Sequence, residues 1–363
     1  LPAETQHFRQ LFLDSTPLLD VRAPVEFNKG AFPQSTNLPL LDDKQREVIG
    51  IEYTERGQDA AIALGNELAT PEIRQQRLDA WAAFIKQHTD AHLYCFRGGL
   101  RSRTTQAWLA EQGIDITLLT GGYKAMRRFL IEELEEQCAN APMLLLAGPT
   151  GSGKTVAIQA WEHSLDLEGK ALHRGSAFGG TFVPQPSQID WEHQITIDWM
   201  RRREASDHPV LVEAESQLIG RIYLPDHLQE TMARAPVAVL DVPMQDRVEL
   251  LRHDYVLHAL TQLGKADDGD PWEQLESYVA DNLKRIRRRL GGERCDQLVN
   301  SVPGAVKALR DAEDWGGFDH IIATLLTDYY DKLYAHKMTE RLERSVFRGD
   351  RTELAQWLAE QYG

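Results

Sequence analysis

The sequence predicts an α/β protein of two domains, each a mainly parallel sheet covered by helices, with a helical appendage on the second. Three observations carry this. Up to about residue 138, short apolar runs alternate with amphipathic helical stretches, the order that builds parallel sheets. Beyond NAP at 140–142 the pattern restarts with MLLLAGPTGSGKTVAIQAW, a strand, a Gly-rich turn and a helix. A chain of 363 residues also exceeds what one ordinary core organises. The expected domains are 1–138 and 139–363, with a helical segment at about 244–310.

Composition narrows the class. Hydrophobic content of 42% and charged content of 26% are those of a globular chain. No run approaches the roughly 20 apolar residues that span a bilayer, so no membrane role is expected. The opening LPAETQHFRQ lacks the basic-then-apolar order of a signal peptide. Cysteines at 95, 138 and 295 are too few and scattered for a disulfide framework or a zinc site, and a reducing cytoplasm is the expected setting. A net charge of −15 argues against indiscriminate nucleic-acid binding. Local basic runs leave a specific RNA partner open. They are Arg201, Arg202 and Arg203, then Lys284, Arg285, Arg287, Arg288 and Arg289 on a helix stopped by Gly291 and Gly292. A solvated helix face and a phosphate-backbone contact are both consistent with the second run.

In the first domain, PLLDVRA at 17–23 reads as a strand ending in Asp20 and Arg22, followed by a turn-rich passage with Gly30, Pro33 and Pro39. TPEIRQQRLDAWAAFIKQHT carries Ile73, Leu78, Trp81, Phe84 and Ile85 at helical spacing. Next comes AHLYCFRGGLRSRTTQAWLAEQG, a strand, a loop and a helix with Cys95 at the end of the strand. A Gly-rich turn at a helix N-terminus aims amides at one spot, and Arg97, Arg101 and Arg103 add positive charge; both favour a thiolate. The alternative is a small packed hydrophobe. No histidine lies within the motif, which disfavours a Cys-His hydrolase and suits a cysteine that accepts and passes on a group. The Cys95–Arg101 spacing also equals the C-x5-R of cysteine phosphatases. ITLLTGGYKAMRRFLIEELEEQ closes the domain with a strand, a Gly-Gly turn and a helix.

In the second domain, GPTGSGKT fills the Walker A pattern between a strand and a helix. Gly148, Gly151 and Gly153 let the backbone wrap phosphate oxygens, with Ser152 in the same turn. Lys154 supplies a cation for a terminal phosphate, and Thr155 is the position for a magnesium ligand. No metal site is otherwise predicted. The accompanying carboxylate is less defined: Glu213 and Glu215 close the strand VLVEAES, and Asp241 closes VAVLDVP. The first pair is preferred for metal or water contact, because strand ends converge on the ligand crevice. HRGSAFGG at 173–180 offers Arg174 and Ser176 as further phosphate ligands, with a plain surface loop as the alternative. The chain ends in a short strand and a helix with Asp350 or Thr352 as N-cap.

DVRAPVEFNKGAFPQSTNLPL, CFRGGLRS and GGYKAMR, in this order, resemble the three signatures of a rhodanese domain. Together with ALGNEL, EIRQQRLDAW, GPTGSGKT, DLEGKALHRGSAFG and VFRG, they make the whole chain resemble the tRNA 2-selenouridine synthase family. The resemblance implies a rhodanese-like domain followed by a P-loop NTPase-like domain. It implies replacement of sulfur by selenium, drawn from selenophosphate, in 2-thiouridine at the wobble position of tRNAs for lysine, glutamate and glutamine. It further implies S-geranylation of that sulfur by geranyl diphosphate, and a selenophosphate-producing enzyme as functional partner. It makes Cys95 the selenium-handling residue with Arg101 in its loop, and through ALGNEL it implicates Gly65. A nucleotide-regulated sulfurtransferase or a cysteine phosphatase is the competing expectation. A rhodanese has no need of the insertion at about 41–88, which is expected to line a passage between the thiol loop and the Walker loop.

Overall fold

In the computed structural model of the chain, residues 4–5, 7–174, 178–180, 182–265 and 269–363 are described, with backbone alone at 4, 5, 336, 337, 339 and 340. Contacts divide it into two units, Leu1–Gln137 with Ser187–Arg201, and Cys138–Pro186 with Arg202–Gly363. The single cut expected at 138/139 therefore needs correcting, because 187–201 returns to the first unit. The Ala31 amide donates to Asp190 Oδ1 (2.7 Å), His193 Nδ1 bonds Ala31 O (2.7 Å), and Arg127 pairs with Glu192. Ile197 and Met200 complete the apolar attachment.

The first unit holds β1 (Glu4–Thr5), β2 (Leu18–Asp20), β3 (Ser35–Asn37), β4 (His92–Tyr94) and β5 (Thr117–Leu119). They form a parallel sheet in the order β1-β5-β4-β2-β3. Alternation along each strand sorts the side chains onto two faces. Leu19, Leu93 and Leu118 pack with Leu78, Trp81 and Phe84 of the helix Pro71–Gln87. Leu18, Tyr94 and Leu119 pack with Phe12, Phe32 and Met126 on the other face. The insertion is the helices Asp43–Arg56 and Gln58–Leu68 followed by Pro71–Gln87. Asp42 starts the first of them with a reciprocal cap to Gln45.

The second unit holds β6 (Met143–Ala147), β7 (Ser164–Leu165), β8 (Val210–Glu213), a hairpin of β9 (Leu218–Ile219) and β10 (Ile222–Tyr223), β11 (Val237–Leu240) and β12 (Ser345–Gly349). Its main sheet is parallel in the order β12-β11-β6-β8-β7. Every residue of the central strand β6 is buried, which is why MLLLA is an unbroken apolar run. The helical segment reaches further than the expected 244–310. A continuous core from Val248 to Tyr330 joins the helices between Met244 and Leu342. The predicted basic helix also breaks at Ile286, and Gly292 opens the next helix instead of closing the last. Among the described residues, no helix is long and apolar enough to cross a membrane.

Candidate functional site

The thiol loop follows from β4. Period-two alternation puts Cys95 on the face of Leu93, so its side chain joins the core that contains Trp81 and Leu109 and the residue is only 3% exposed. The loop backbone is tied to the next Gly-Gly turn: Tyr123 N donates to Cys95 O and Lys124 N to Phe96 O, both at 2.9 Å. Gly98 (φ +64°) and Gly122 (φ +57°) permit this approach. A Cβ on Gly122 would stand 2.2 Å from Cys95 O, and one on Gly98 would stand 2.8 Å from Gly121 N. Among the described residues, the polar contact of Sγ is the Ser102 hydroxyl at 3.2 Å, and that hydroxyl donates to Gly99 O at 3.0 Å.

This corrects the expected cradle of guanidinium groups. Arg101 makes a two-pronged pair with Glu26, at 2.5 and 3.1 Å, and Arg46 adds a contact to the same carboxylate at 3.2 Å. Burial alone would raise the Glu26 pKa. The hydrogen bond and charge of Arg101, the Ala23 amide and Arg46 outweigh it and hold the group below the usual carboxylate range. Arg97 is exposed beside the Phe96 ring. The Asp20 and Arg22 of the first signature are a buried structural pair (2.6 Å), with Arg22 also donating to Gly30 O and lying 3.8 Å from the Tyr123 ring centre.

An open cleft of about 1110 Å³ adjoins this loop through Phe96 and Arg101. The insertion supplies its other wall with Leu41, Arg46, Ile49, Ile51 and Tyr53, and Lys29 adds a cation. Gly65 lies in the helix Gln58–Leu68. A Cβ there would meet Ile49 Cδ1 at 3.6 Å, so Gly65 bears on the cleft through Ile49.

In the second unit, the Walker loop joins β6 to the helix Lys154–Ala160. Gly151 (φ +80°) and Gly153 (φ +82°) take the left-handed backbone that the loop needs. Lys154 Nζ donates to Gly148 O at 2.9 Å. Arg247, itself paired with Asp331, braces the loop through Thr150 O at 2.9 Å. The Ser152 hydroxyl is buried beside Gly148 without a hydrogen-bond partner among the described residues. Thr155 is half-buried in the first helical turn. A divalent ion there would rest on its hydroxyl and on ligand oxygens, since no cluster of three or more His, Cys, Asp or Glu among the described residues could hold one.

The carboxylates are placed differently from the sequence expectation. Glu213 is fully buried and accepts the Leu167 amide at 3.0 Å; burial, with Asp166 and Glu168 nearby, raises its pKa well above normal. It ties the short helix Leu167–Lys170 to the end of β8 and does not face solvent. Glu215 instead shares a hydrogen bond with Glu168, a residue that the sequence analysis quoted within DLEGKALHRGSAFG and gave no role. Burial, then the charge and hydrogen bond of Glu215, push the Glu168 pKa up to about 8 against the pull of Lys154. Parallel register brings this about: the ends of β6, β7 and β8 lie side by side, so DLEG after β7 meets the P-loop. The signal available was an Asp N-cap and a glutamate following SL, a strand of two residues that is too short to read.

The other predicted contacts are largely committed within the chain. Arg174 pairs with Asp254, and Ser176 lies outside the described residues. Arg201 donates to Phe12 O and Ser15 Oγ, Arg203 pairs with Asp207, and Arg202 is half-buried. Lys284 pairs with Asp281, Arg285 with Asn282 and Arg287 with Asp296. An acidic chain supplies these partners readily. Arg288 is exposed and, among the described residues, has no ion pair; the same holds for Arg289.

Two family profiles match the chain: a rhodanese-like domain over residues 5–128 and the tRNA 2-selenouridine synthase AAA domain over 141–363. Proteins named tRNA 2-selenouridine synthase are similar throughout. The one from Marinobacter nauticus is 42% identical over 98% of this chain and 97% of its own length. The one from Alcanivorax borkumensis is 45% identical over 98% of both.

Proposed function

Since the chain belongs to the tRNA 2-selenouridine synthase family and is thereby a tRNA-modifying enzyme acting on the wobble uridine, we propose that it exchanges the sulfur of 2-thiouridine for selenium in two steps. In the first, the C2 sulfur attacks C1 of geranyl diphosphate; the C–O bond breaks, diphosphate departs, and N3 gives up its proton. In the second, the selenium of selenophosphate adds at C2 and geranyl thiol leaves; water then cleaves the Se–P bond and releases phosphate. The tRNAs for lysine, glutamate and glutamine are the proposed substrates, the cytoplasm the proposed setting, and an enzyme making selenophosphate the proposed supplier.

The observation that carries this reading is the cleft beside the Cys95 loop. It combines an apolar wall of Ile49, Ile51 and Tyr53 with the cation of Lys29, while Arg46 and Arg101 in the same lining are held on Glu26, and Glu47 and Glu55 line it too. An apolar chain on a polar, anionic body fits such a lining. Cys95 is assigned to the selenium step and the Walker loop to a phosphorylated co-substrate. The competing phosphatase reading needs a free guanidinium at Arg101, and Glu26 occupies it.

The test is nucleoside mass spectrometry of tRNA bearing 2-thiouridine, incubated with geranyl diphosphate and selenophosphate. Wild type should give both the S-geranyl and selenium products, and Cys95→Ala only the S-geranyl product. Turnover of thiosulfate or an aryl phosphate without RNA, and no change in the tRNA, would defeat the reading.

A further inference from the structure

The turn from β12 into the C-terminal helix Arg351–Tyr362 delivers an arginine onto the Walker loop. A Cβ built on Gly153 would lie 2.8 Å from Arg351 Cδ, 3.2 Å from Nη1 and 3.3 Å from Nε. The stem and guanidinium of Arg351 thus lie directly over Gly153, the residue before Lys154. Gly153 is consequently buried, although Arg351 itself is exposed.

Arg351 differs from the other arginines near the Walker loop. Neighbouring arginines have partners: Arg247 pairs with Asp331, Arg348 with Asp241, and Arg341 donates to the carbonyls of Ala214 and Glu215. Among the described residues, no carboxylate or carbonyl bonds Arg351. The two nearest acids in sequence are engaged elsewhere. Asp350 caps the helix by accepting from Thr352 N (2.7 Å) and Glu353 N (2.9 Å), and Glu353 accepts from Asp350 N (2.8 Å). Arg351 also occupies the first turn of its helix, where the dipole disfavours a cation. A chain of net charge −15 has placed an unpaired guanidinium beside Lys154, at the positive end of a helix. A bound anion would relieve all three features at once.

We propose that Arg351 is a second cation for the anion held by the Lys154 loop, reaching it from near the end of the chain. Lysine provides a point charge, whereas the planar guanidinium can donate two parallel hydrogen bonds to a phosphate. The ligand class is a phosphorylated molecule with at least two phosphate oxygens open to the Gly153 side. The proposal rests on reading the Walker loop as a phosphate site, and the experiment separates the two.

Binding of inorganic pyrophosphate to the full-length protein is measured by calorimetry at several salt concentrations. The variants are Lys154→Ala, Arg351→Ala, Arg351→Met and Arg351→Lys. Methionine keeps a stem to cover Gly153 but removes the charge. Arg351→Ala and Arg351→Met should both bind at least about tenfold more weakly, with a shallower salt dependence, and Arg351→Lys should recover part of the loss. Unfolding midpoints should match wild type, since Arg351 is exposed. If Lys154→Ala is weakened while Arg351→Met binds like wild type with an unchanged salt dependence, Arg351 only covers the loop and the proposal fails. If Lys154→Ala also binds like wild type, the phosphate reading fails and takes the proposal with it.

Discussion

Cys95 Sγ stands 3.2 Å from the hydroxyl oxygen of Ser102, in the first turn of the following helix, and that hydroxyl is itself anchored on Gly99 O. The thiol is therefore gripped from the helix side and buried in the core that includes Leu19, Leu93 and Leu109. A loop tied down this closely must part before a reagent reaches the sulfur.

Reactivity should reflect that enclosure. Iodoacetamide at neutral pH should alkylate Cys95 at least about tenfold more slowly than an unstructured cysteine peptide, because only the opened fraction reacts. Mass spectrometry of the modified peptide checks this, and a fast-reacting Cys95 would contradict the packing. Cys95→Ala should reduce formation of the selenium nucleoside by at least about a hundredfold. It should move the unfolding midpoint little, since alanine fills most of the same space.

The Glu168–Glu215 pair predicts a pH dependence with a definite sign. The Glu168 pKa is raised from 4.5 to about 8. Between those values the folded protein holds more protons than the unfolded chain. Its contribution to stability is thus most favourable below pH 4.5 and declines as pH rises through about 8. Glu168→Gln, which cannot ionise, should be the more stable protein at pH 8.5 and should lose that decline. Urea midpoints of both proteins at pH 5 and pH 8.5 decide the matter; parallel curves would remove Glu168 as the titrating group.

Gly65 should respond to size in two stages. A single methyl at 3.6 Å from Ile49 is an ordinary contact, so Gly65→Ala should stabilise the helix Gln58–Leu68 by about 0.5–1 kcal/mol. Gly65→Leu must displace Ile49 into the cleft. It should lower the yield of S-geranyl nucleoside severalfold while Gly65→Ala retains it. Equal yields from both variants would detach this helix from the substrate.

The sequence by itself determined the parts whose cause is local. Glycine spacing marked both tight loops, because glycine takes at no steric cost the left-handed backbone found at Gly98, Gly122, Gly151 and Gly153. Continuous apolar runs marked β6 and β11, and the Asp350 cap marked the last helix. What tertiary structure alone decided was which charges are free and which are neutralised. Arg101 looked like an activator of Cys95 until Glu26, 75 residues away, was placed against it. Glu168 acquired its shifted proton only when parallel pairing brought the ends of β7 and β8 together. Arg351 acquired its place over Gly153 only through the path of β12. Backbone conformation is set by a residue and its immediate neighbours. The ionisation and availability of a side chain depend on burial and on partners drawn from anywhere in the chain.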